Sequence, residues 1–313
     1  MNAQRCRRTA SLPVLIIAAA AVLSTMCVDV AAQDDQPPAE QAQPQRQSQP
    51  QPVSGADFIK QCVFKYPGKD QQGKFTVTLR DRDGQTKRSE YLRFWKDYDG
   101  ADDVADKMLL FTMFPPDARG SAFMRVAYTP ESEKPVDQWI YLPLLKKIRR
   151  VTIRDPGDSF LNSNLTFADV SPRALGADEH RYLGVTTVAG HAFHVVESTP
   201  KEKRPLYGKR VFWFSQPDNW ENCVTDRIDY YDTSGQLLKD QFINWQQIDG
   251  AWMWRTSLVR SYQNGTASAF EMSDMRVNVG LSDDLFSARS LERGPELIQR
   301  NMPNSAPAPD SKP

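Results

Sequence analysis

The sequence predicts a mainly β protein built around one strongly curved antiparallel sheet. Apolar and polar residues alternate over residues 74–80 and 88–95, and Asp83-Gly84 between them is a strong hairpin-turn dipeptide. In the C-terminal half, turn pairs recur fifteen residues apart, at Ser234-Gly235, Asp249-Gly250 and Asn264-Gly265. This spacing leaves strands of about 10–12 residues, which is longer than usual. Because long antiparallel strands twist and coil, we expect the sheet to be deeply curved.

An amphipathic helix is predicted to open the domain. Ser54 is placed to cap it, with Asp57 three residues further on in a capping-box pattern. Apolar residues then follow at helical spacing, namely Ile59, Cys62, Val63 and Tyr66. Pro67-Gly68 is expected to end the helix.

The strands that follow are assigned from their alternation. The first, residues 74–80, places Phe75, Val77 and Leu79 on one face. The second, residues 88–95, places Leu92 and Phe94 on one face and Tyr91, Arg93 and Trp95 on the other. Residues 108–114 and 122–128 continue the pattern, and a short helix over residues 283–291 is expected to close the domain. Short helices should therefore cover parts of the sheet.

The first 32 residues are predicted to be a cleavable secretory signal peptide. Arg5, Arg7 and Arg8 precede an apolar run from Leu12 to Leu23, and Val30-Ala31-Ala32 supplies small residues before a cleavage site at Gln33. A lipoprotein signal ending at Cys27 is the competing interpretation, but the bulky Met26 before that cysteine disfavours it. The sequence therefore predicts export to the periplasm.

Composition sets the remaining boundaries. Residues 33–52 are almost all Gln, Pro and small polar residues, and such a segment is expected to be a disordered linker. The tail over residues 295–313 has similar composition, which leaves one large domain at residues 53–294. The signal removes three arginines and one aspartate from 39 basic and 39 acidic residues, leaving a net charge near −2. This balance argues against a nucleic-acid partner.

Two cysteines, Cys62 and Cys223, remain after the signal is removed. An even pair in an oxidising compartment favours a disulfide, whereas two separate buried thiols are the alternative. A disulfide would tie the N-terminal helix to the sheet.

The sequence offers no arrangement typical of an enzyme or a metal centre. It contains no nucleophile elbow, phosphate-binding loop, zinc-protease helix or dinucleotide-binding glycine pattern. His191 and His194 are three residues apart on a predicted strand and so lie on opposite faces, and His180 is interpreted as a solvated loop side chain. We therefore expect no catalysis, no metal and no cofactor.

The most informative segment is residues 137–170, which combines strand composition with a basic run and a Ser-Phe-rich stretch. It resembles the periplasmic lipoprotein-sorting relatives of LolA and LolB, in elements of the form W-x-Y-L-P, K-x-R-R and S-F-x-G-S-D-F-x-Y-x-D. The matching residues here are Trp139, Tyr141, Leu142, Pro143, Lys147, Arg149, Arg150, Ser159, Phe160, Ser163, Phe167 and Asp169. Asn162 and Asn164 stand where the family usually has Gly and Asp, so this segment is expected to differ from its relatives.

The resemblance implies a half-open β-barrel with a helical lid and an apolar cavity that shields acyl chains. Such a protein would carry a lipid or lipoprotein cargo from an inner-membrane exporter, of the resistance-nodulation-division or lipoprotein-release type, toward the outer membrane. The alternative is a periplasmic regulator of the same fold that senses lipid and gates a partner protein. The sequence does not identify the cargo, the exporter or the concave face.

Two sets of residues are the candidates for these roles. The cavity candidates are the apolar strand residues Phe75, Val77, Leu79, Leu92, Phe94, Phe111, Met113, Phe212, Phe214 and Trp245. The docking candidates are Lys146, Lys147, Arg149 and Arg150, which would contact anionic lipid headgroups or an acidic partner. A solvated strand edge is the other interpretation of this basic run.

Overall fold

The computed structural model describes residues 53–151, 155–215 and 220–300. Thirteen strands in these ranges form one antiparallel sheet in the order β6-β5-β4-β3-β2-β1-β13-β12-β11-β10-β9-β8-β7. The strands are β1 Asp70–Arg80, β2 Thr86–Asp97, β3 Val104–Phe114, β4 Ala122–Tyr128, β5 Asp137–Leu142, β6 Lys147–Val151, β7 Asp178–Val188, β8 His191–Pro200, β9 Lys209–Ser215, β10 Thr225–Tyr231, β11 Leu237–Ile248, β12 Ala251–Ser261 and β13 Ala267–Val277. The prediction of a curved, open, mainly β fold is confirmed.

Hairpins make nearly every connection in this sheet. Each predicted turn pair lies between two paired strands, and β11, β12 and β13 have 12, 11 and 11 residues, as the fifteen-residue spacing requires. The N-terminal strands begin earlier than predicted. β1 starts at Asp70 and β3 at Val104, because main-chain pairing continues where the apolar alternation has already stopped.

The N-terminal helix begins as predicted but ends sooner. Ser54 and Asp57 form both hydrogen bonds of the capping box, and helix α1 spans Gly55–Phe58. The next turn, Ile59–Val63, is a π-helix. The helical segment ends at Val63, so Tyr66 lies outside it, does not join the apolar stripe and is 50% exposed.

The connection from β6 to β7 must pass from one edge of the sheet to the other. Residues 155–177, here called the crossing segment, do so across one face of the sheet. Phe160 and Leu165 of this segment are buried against Phe75, Val77 and Phe270. We call this the inner face and the opposite one the outer face.

Asn164 fastens the crossing segment to β13. Its main-chain N–H donates to Ser268 Oγ at 2.9 Å, and its side-chain amide donates to Thr266 Oγ1 at 2.7 Å. Asn162 adopts a left-handed conformation with φ of 59°, which asparagine tolerates better than most residues. The two departures from the LolA-like pattern are therefore both compatible with the local backbone.

The outer face is covered by the C-terminal segment. Phe94, Leu109 and Phe111 are buried there beneath Leu281, Leu285, Phe286 and Leu291. Helix α2 spans Ala288–Arg300 and is kinked at Gly294, so it continues past the predicted domain boundary at residue 294. The predicted signal peptide and linker, residues 1–52, and the tail after residue 300 lie outside the described residues.

Candidate functional site

A cavity of about 530 Å³ lies on the inner face of the sheet. Its walls come from the sheet, from the π-helical turn and following residues around Ile59 and Val63, and from residues 168–175 of the crossing segment. The apolar lining includes Phe75, Trp95, Met108, Phe160, Phe212, Ile243, Trp245, Trp252, Met253, Trp254 and Met272. The volume lies within the range of about 300–1,000 Å³ that is typical of ligand pockets.

The structure divides the ten predicted cavity residues between the two faces. Phe75, Phe212 and Trp245 line the cavity. Val77 and Leu79 pack in the inner-face core beside Phe75, and Phe214 packs beneath the N-terminal helix. Met113 is half-buried and does not line the cavity.

Three of the predicted residues do not line this cavity. Leu92, Phe94 and Phe111 lie in the outer-face cluster under the C-terminal segment. On β2 it is the other alternating set, with Arg93 and Trp95, that faces the cavity. Both faces of this sheet are covered by apolar segments, so alternation separates the faces without saying which one holds the cavity.

Sequence reasoning did not assign several lining residues. Trp252 and Trp254 lie on β12 and Met272 lies on β13. For the two tryptophans, the aromatic content of the strand was the sequence signal that could have assigned them to the cavity. Phe160 and Val170 come from the crossing segment, which has no strand alternation. Only the path of the chain across the sheet brings these two residues to the cavity.

Besides Lys65 and Asp169, charged groups interrupt the apolar lining at two places. Asp178 is paired with Arg173 at 2.5 Å and with Arg210. Burial acts to raise the pKa of Asp178, but the hydrogen bond from Arg173 and the charge of Arg210 outweigh it and lower the pKa. The second place is a cluster of Gln71, Arg93, Asp106 and Arg125 on four neighbouring strands.

The helical segment Gly55–Val63, here called the N-terminal cover, is held over one end of the cavity. Phe58 stacks on Tyr182 and Phe214, with ring centroids 5.2 and 5.5 Å apart. The sulfur atoms of Cys62 and Cys223 are bonded, with Cα atoms 4.9 Å apart. Gly55 lies so close to β7 that a Cβ would be 2.7 Å from the carbonyl oxygen of His180, so the cover rests directly on strand backbone.

His180 and His194 are both half-buried and contact neighbouring groups of the fold. His180 was interpreted as solvated, but it is half-buried on β7, with Nδ1 2.8 Å from Ser198 Oγ and Nε2 2.9 Å from the Leu175 carbonyl oxygen. His194 lies beneath the cover, and desolvation lowers its pKa. Within the described ranges, no group of three or more His, Cys, Asp or Glu side chains is placed to hold a metal ion.

The basic run begins at the tip of the hairpin between β5 and the edge strand β6 and continues along β6. We call residues 144–150 the basic tip. Leu144 is 92% exposed and Lys146, Lys147 and Arg149 are exposed beside it. Arg150 is paired with Asp137, whose hydrogen bond and charge raise the pKa of Arg150. The four basic residues are therefore not equivalent.

Solved structures of similar fold come from three bacteria. A DUF1329 family protein from Desulfovibrio piger has a TM-score of 0.66 and 24% identity, covering 76% of this chain and 97% of its own. A putative outer membrane lipoprotein-sorting protein domain from Vibrio parahaemolyticus has a TM-score of 0.64 and 24% identity over 76% and 98% of the two chains. A LolA superfamily protein from Nitrosomonas europaea has a TM-score of 0.55 and 18% identity over 76% and 100%. These likenesses show a LolA-like fold.

No helix in the part of the chain that the structure describes is long and apolar enough to span a membrane.

Family models agree with the likeness to these solved structures. No curated protein matches the chain. A model described as "-like: Uncharacterized protein" matches residues 104–293, and the model of DUF1329, a protein of unknown function, matches residues 1–171. Because the second match covers more than half of the sequence, the chain belongs to the DUF1329 family.

Proposed function

We propose that this protein is a carrier that shields an acyl chain of a lipid or lipidated cargo in the inner-face cavity, without catalysis. The observation that carries the proposal is the cavity itself, about 530 Å³ in volume and lined mainly by apolar residues that include aromatic and methionine side chains. Each methylene group buried there would contribute roughly 0.8 kcal/mol. Burial alone therefore supplies affinity for an acyl chain.

The mobility of methionine side chains suits such a cavity. Met108, Met253 and Met272 all line it, and their unbranched side chains adapt to chains of different shape. The elements that cover the cavity, the N-terminal cover and residues 168–175, are short, which fits a site that must admit and release an apolar tail. A LolA-like fold in related proteins is consistent with this role.

Binding of an uncharged fluorescent acyl amide tests the proposal. We expect wild type to bind it and Met272→Asp to bind it at least about tenfold more weakly, since losing contact with two methylenes already costs about 1.6 kcal/mol. Met113→Asp is the matched control, because Met113 is also half-buried but lies outside the cavity. Absence of binding by wild type, or equal loss in the two folded variants, would contradict the carrier function.

We further propose that the carrier works in the periplasm, between an inner-membrane exporter and the outer membrane. The support is the signal-like N-terminus with Val30-Ala31-Ala32 before Gln33. Mass mapping of the exported protein should find Gln33 at its N-terminus. An acylated Cys27 would instead indicate a lipid-anchored carrier.

The basic tip is proposed to dock on anionic lipid headgroups during transfer. Leu144 and Leu145 project at its end, and Lys146, Lys147 and Arg149 surround them. Each such charge near an anionic surface adds on the order of 1 kcal/mol. Arg150 should contribute less, because Asp137 already neutralises it.

Vesicle binding tests the docking proposal. A variant with Lys146, Lys147 and Arg149 changed to Gln should bind anionic vesicles more weakly at low salt and bind the acyl amide normally. The difference from wild type should shrink as salt screens exposed charges beyond about 8 Å. Equal vesicle binding by the two proteins at low salt would identify the tip as a solvated edge.

A further inference from the structure

The cavity wall contains a buried guanidinium that is not paired with a carboxylate. Arg93 on β2 is 8% exposed. Its Nη1 donates a hydrogen bond to the side-chain oxygen of Gln71 at 2.7 Å. Gln71 is held in turn, because its Nε2 donates to the Pro67 carbonyl oxygen at 2.7 Å. Arg93 is thus held in place by a neutral partner.

The other buried cations, unlike Arg93, are each paired with a carboxylate. Three cations are buried within the described ranges, namely Arg93, Arg125 and Lys239. Arg125 is paired with Asp106 at 2.7 Å and Lys239 with Asp169 at 2.5 Å. No ion pair within 4.0 Å is found for Arg93 in the part of the chain that the structure describes. The cluster of Arg93, Asp106 and Arg125 therefore carries one excess positive charge.

This excess charge is set in apolar surroundings. Desolvation lowers the pKa of Arg93 to about 10, with the charge of Asp106 opposing that effect and the charge of Arg125 adding to it. Among the described residues, the Nε of Arg125 is also buried without a hydrogen-bond partner. A buried charge without a counter-ion is costly, whereas Asp178 and Asp169 at the same cavity are each paired with a cation.

The charged group around Asp178 at the same cavity is balanced, unlike the Arg93 cluster. There Arg173 and Arg210 share Asp178, and Arg173 also lies 3.4 Å from Glu202. Two cations face two carboxylates, so that group is balanced. Only the Arg93 cluster combines burial with an uncompensated charge at the cavity wall in the described part of the protein.

We propose that Arg93 binds the anionic headgroup, a carboxylate or a phosphate, of an amphiphile whose apolar tail occupies the cavity. This inference rests on the proposed carrier function and specifies its ligand class. The guanidinium suits such an oxyanion, because its N–H groups form a planar fork that matches carboxylate and phosphate oxygens. Trp95 and Met108, paired on adjacent strands, line the cavity beside Arg93 and would contact the first part of the tail.

Three ligands of equal chain length test the headgroup. Dodecanoate, dodecyl phosphate and methyl dodecanoate would each displace the uncharged acyl amide from the lipid-free exported protein at neutral pH. We expect at least one of the two anions to bind about ten- to hundredfold more tightly than the ester, as charge-assisted hydrogen bonds require. The tighter of the two anions identifies the headgroup as carboxylate or phosphate.

Two variants locate the effect. Arg93→Gln should remove the preference for the anion over the ester. Gln71→Glu would place an internal carboxylate against Arg93 and should also remove the preference, at the cost of the hydrogen bond that Gln71 donates to the Pro67 carbonyl oxygen. Arg88→Gln is the control, since Arg88 is exposed on the same strand and paired with Glu90.

The outcomes separate the two proposals. If wild type binds the ester and both anions equally, or if Arg93→Gln or Gln71→Glu retains the preference, the headgroup inference is wrong and the carrier function stands. If wild type binds none of the three ligands and no acyl amide, both are wrong. If Arg93→Gln does not fold, the wild-type comparison and Gln71→Glu still decide the question.

Discussion

The disulfide between Cys62 and Cys223 connects the N-terminal cover to the loop that precedes β10. The two cysteines are 161 residues apart and both are fully buried. In the chain-entropy model, a bond that closes a loop of this length restricts the unfolded chain and stabilises the fold by about 5 kcal/mol. For a domain of this size, removing the disulfide and losing this stabilisation corresponds to a decrease in Tm of about 10–20 °C.

Urea unfolding of wild type and of the double variant Cys62→Ala/Cys223→Ala measures this contribution. We expect a lower midpoint and a steeper slope, because an unfolded chain without the cross-link is less compact and exposes more surface. Reduced wild type is the control for the small voids that alanine leaves, and it should unfold near the variant. The variant should also bind the acyl amide more weakly, because Ile59 and Val63 of the cover line the cavity.

Two results would refute this reasoning. A difference in unfolding free energy below about 1 kcal/mol would mean that the bond does not restrict the unfolded chain as the model requires. Two thiols that react in the denatured, unreduced protein would mean that the bond does not form in the exported chain.

Two further predictions concern buried groups. Lys239→Met should lower the free energy of unfolding by about 3–5 kcal/mol, because it leaves the buried carboxylate of Asp169 without its 2.5 Å partner. The double variant Asp169→Asn/Lys239→Met should lose less, and an equal or larger loss measured by urea unfolding would contradict a charge-based explanation. His194 should make stability fall on acidification, because desolvation lowers its pKa in the folded state. Its contribution is fully present above the unfolded pKa of about 6.5 and is lost as the pH falls through the lowered folded pKa. A thermal-unfolding series should show this loss in wild type and a smaller one in His194→Gln; identical pH profiles would exclude the histidine as the cause.

Much of the fold follows from signals that are local in the sequence. The turn pairs at residues 234–235, 249–250 and 264–265 connect the strands that they were predicted to connect. The capping box at Ser54 forms as expected. Such features depend on the conformational preferences of a few adjacent residues, and so one sequence suffices to recognise them.

The cavity depends on contacts between distant parts of the chain. Alternation on β2 separates Leu92 and Phe94 from Arg93 and Trp95, but both sets are covered by other segments. The choice of the cavity side follows from where the crossing segment and the C-terminal segment pack. A local pattern contains no information about either path.

The sequence by itself determined a mainly β, LolA-like fold of long antiparallel hairpins opened by a capped helix, because period-two alternation and turn chemistry are properties of neighbouring residues. Only the tertiary structure decided that the connection between the two edge strands crosses the inner face and closes a cavity there. It also decided that Arg93 is buried beside Gln71, with the nearest carboxylate pairing Arg125 instead. The charge balance of a cavity depends on which side chains from different strands meet within a few ångströms, and that proximity is fixed by packing over the whole domain.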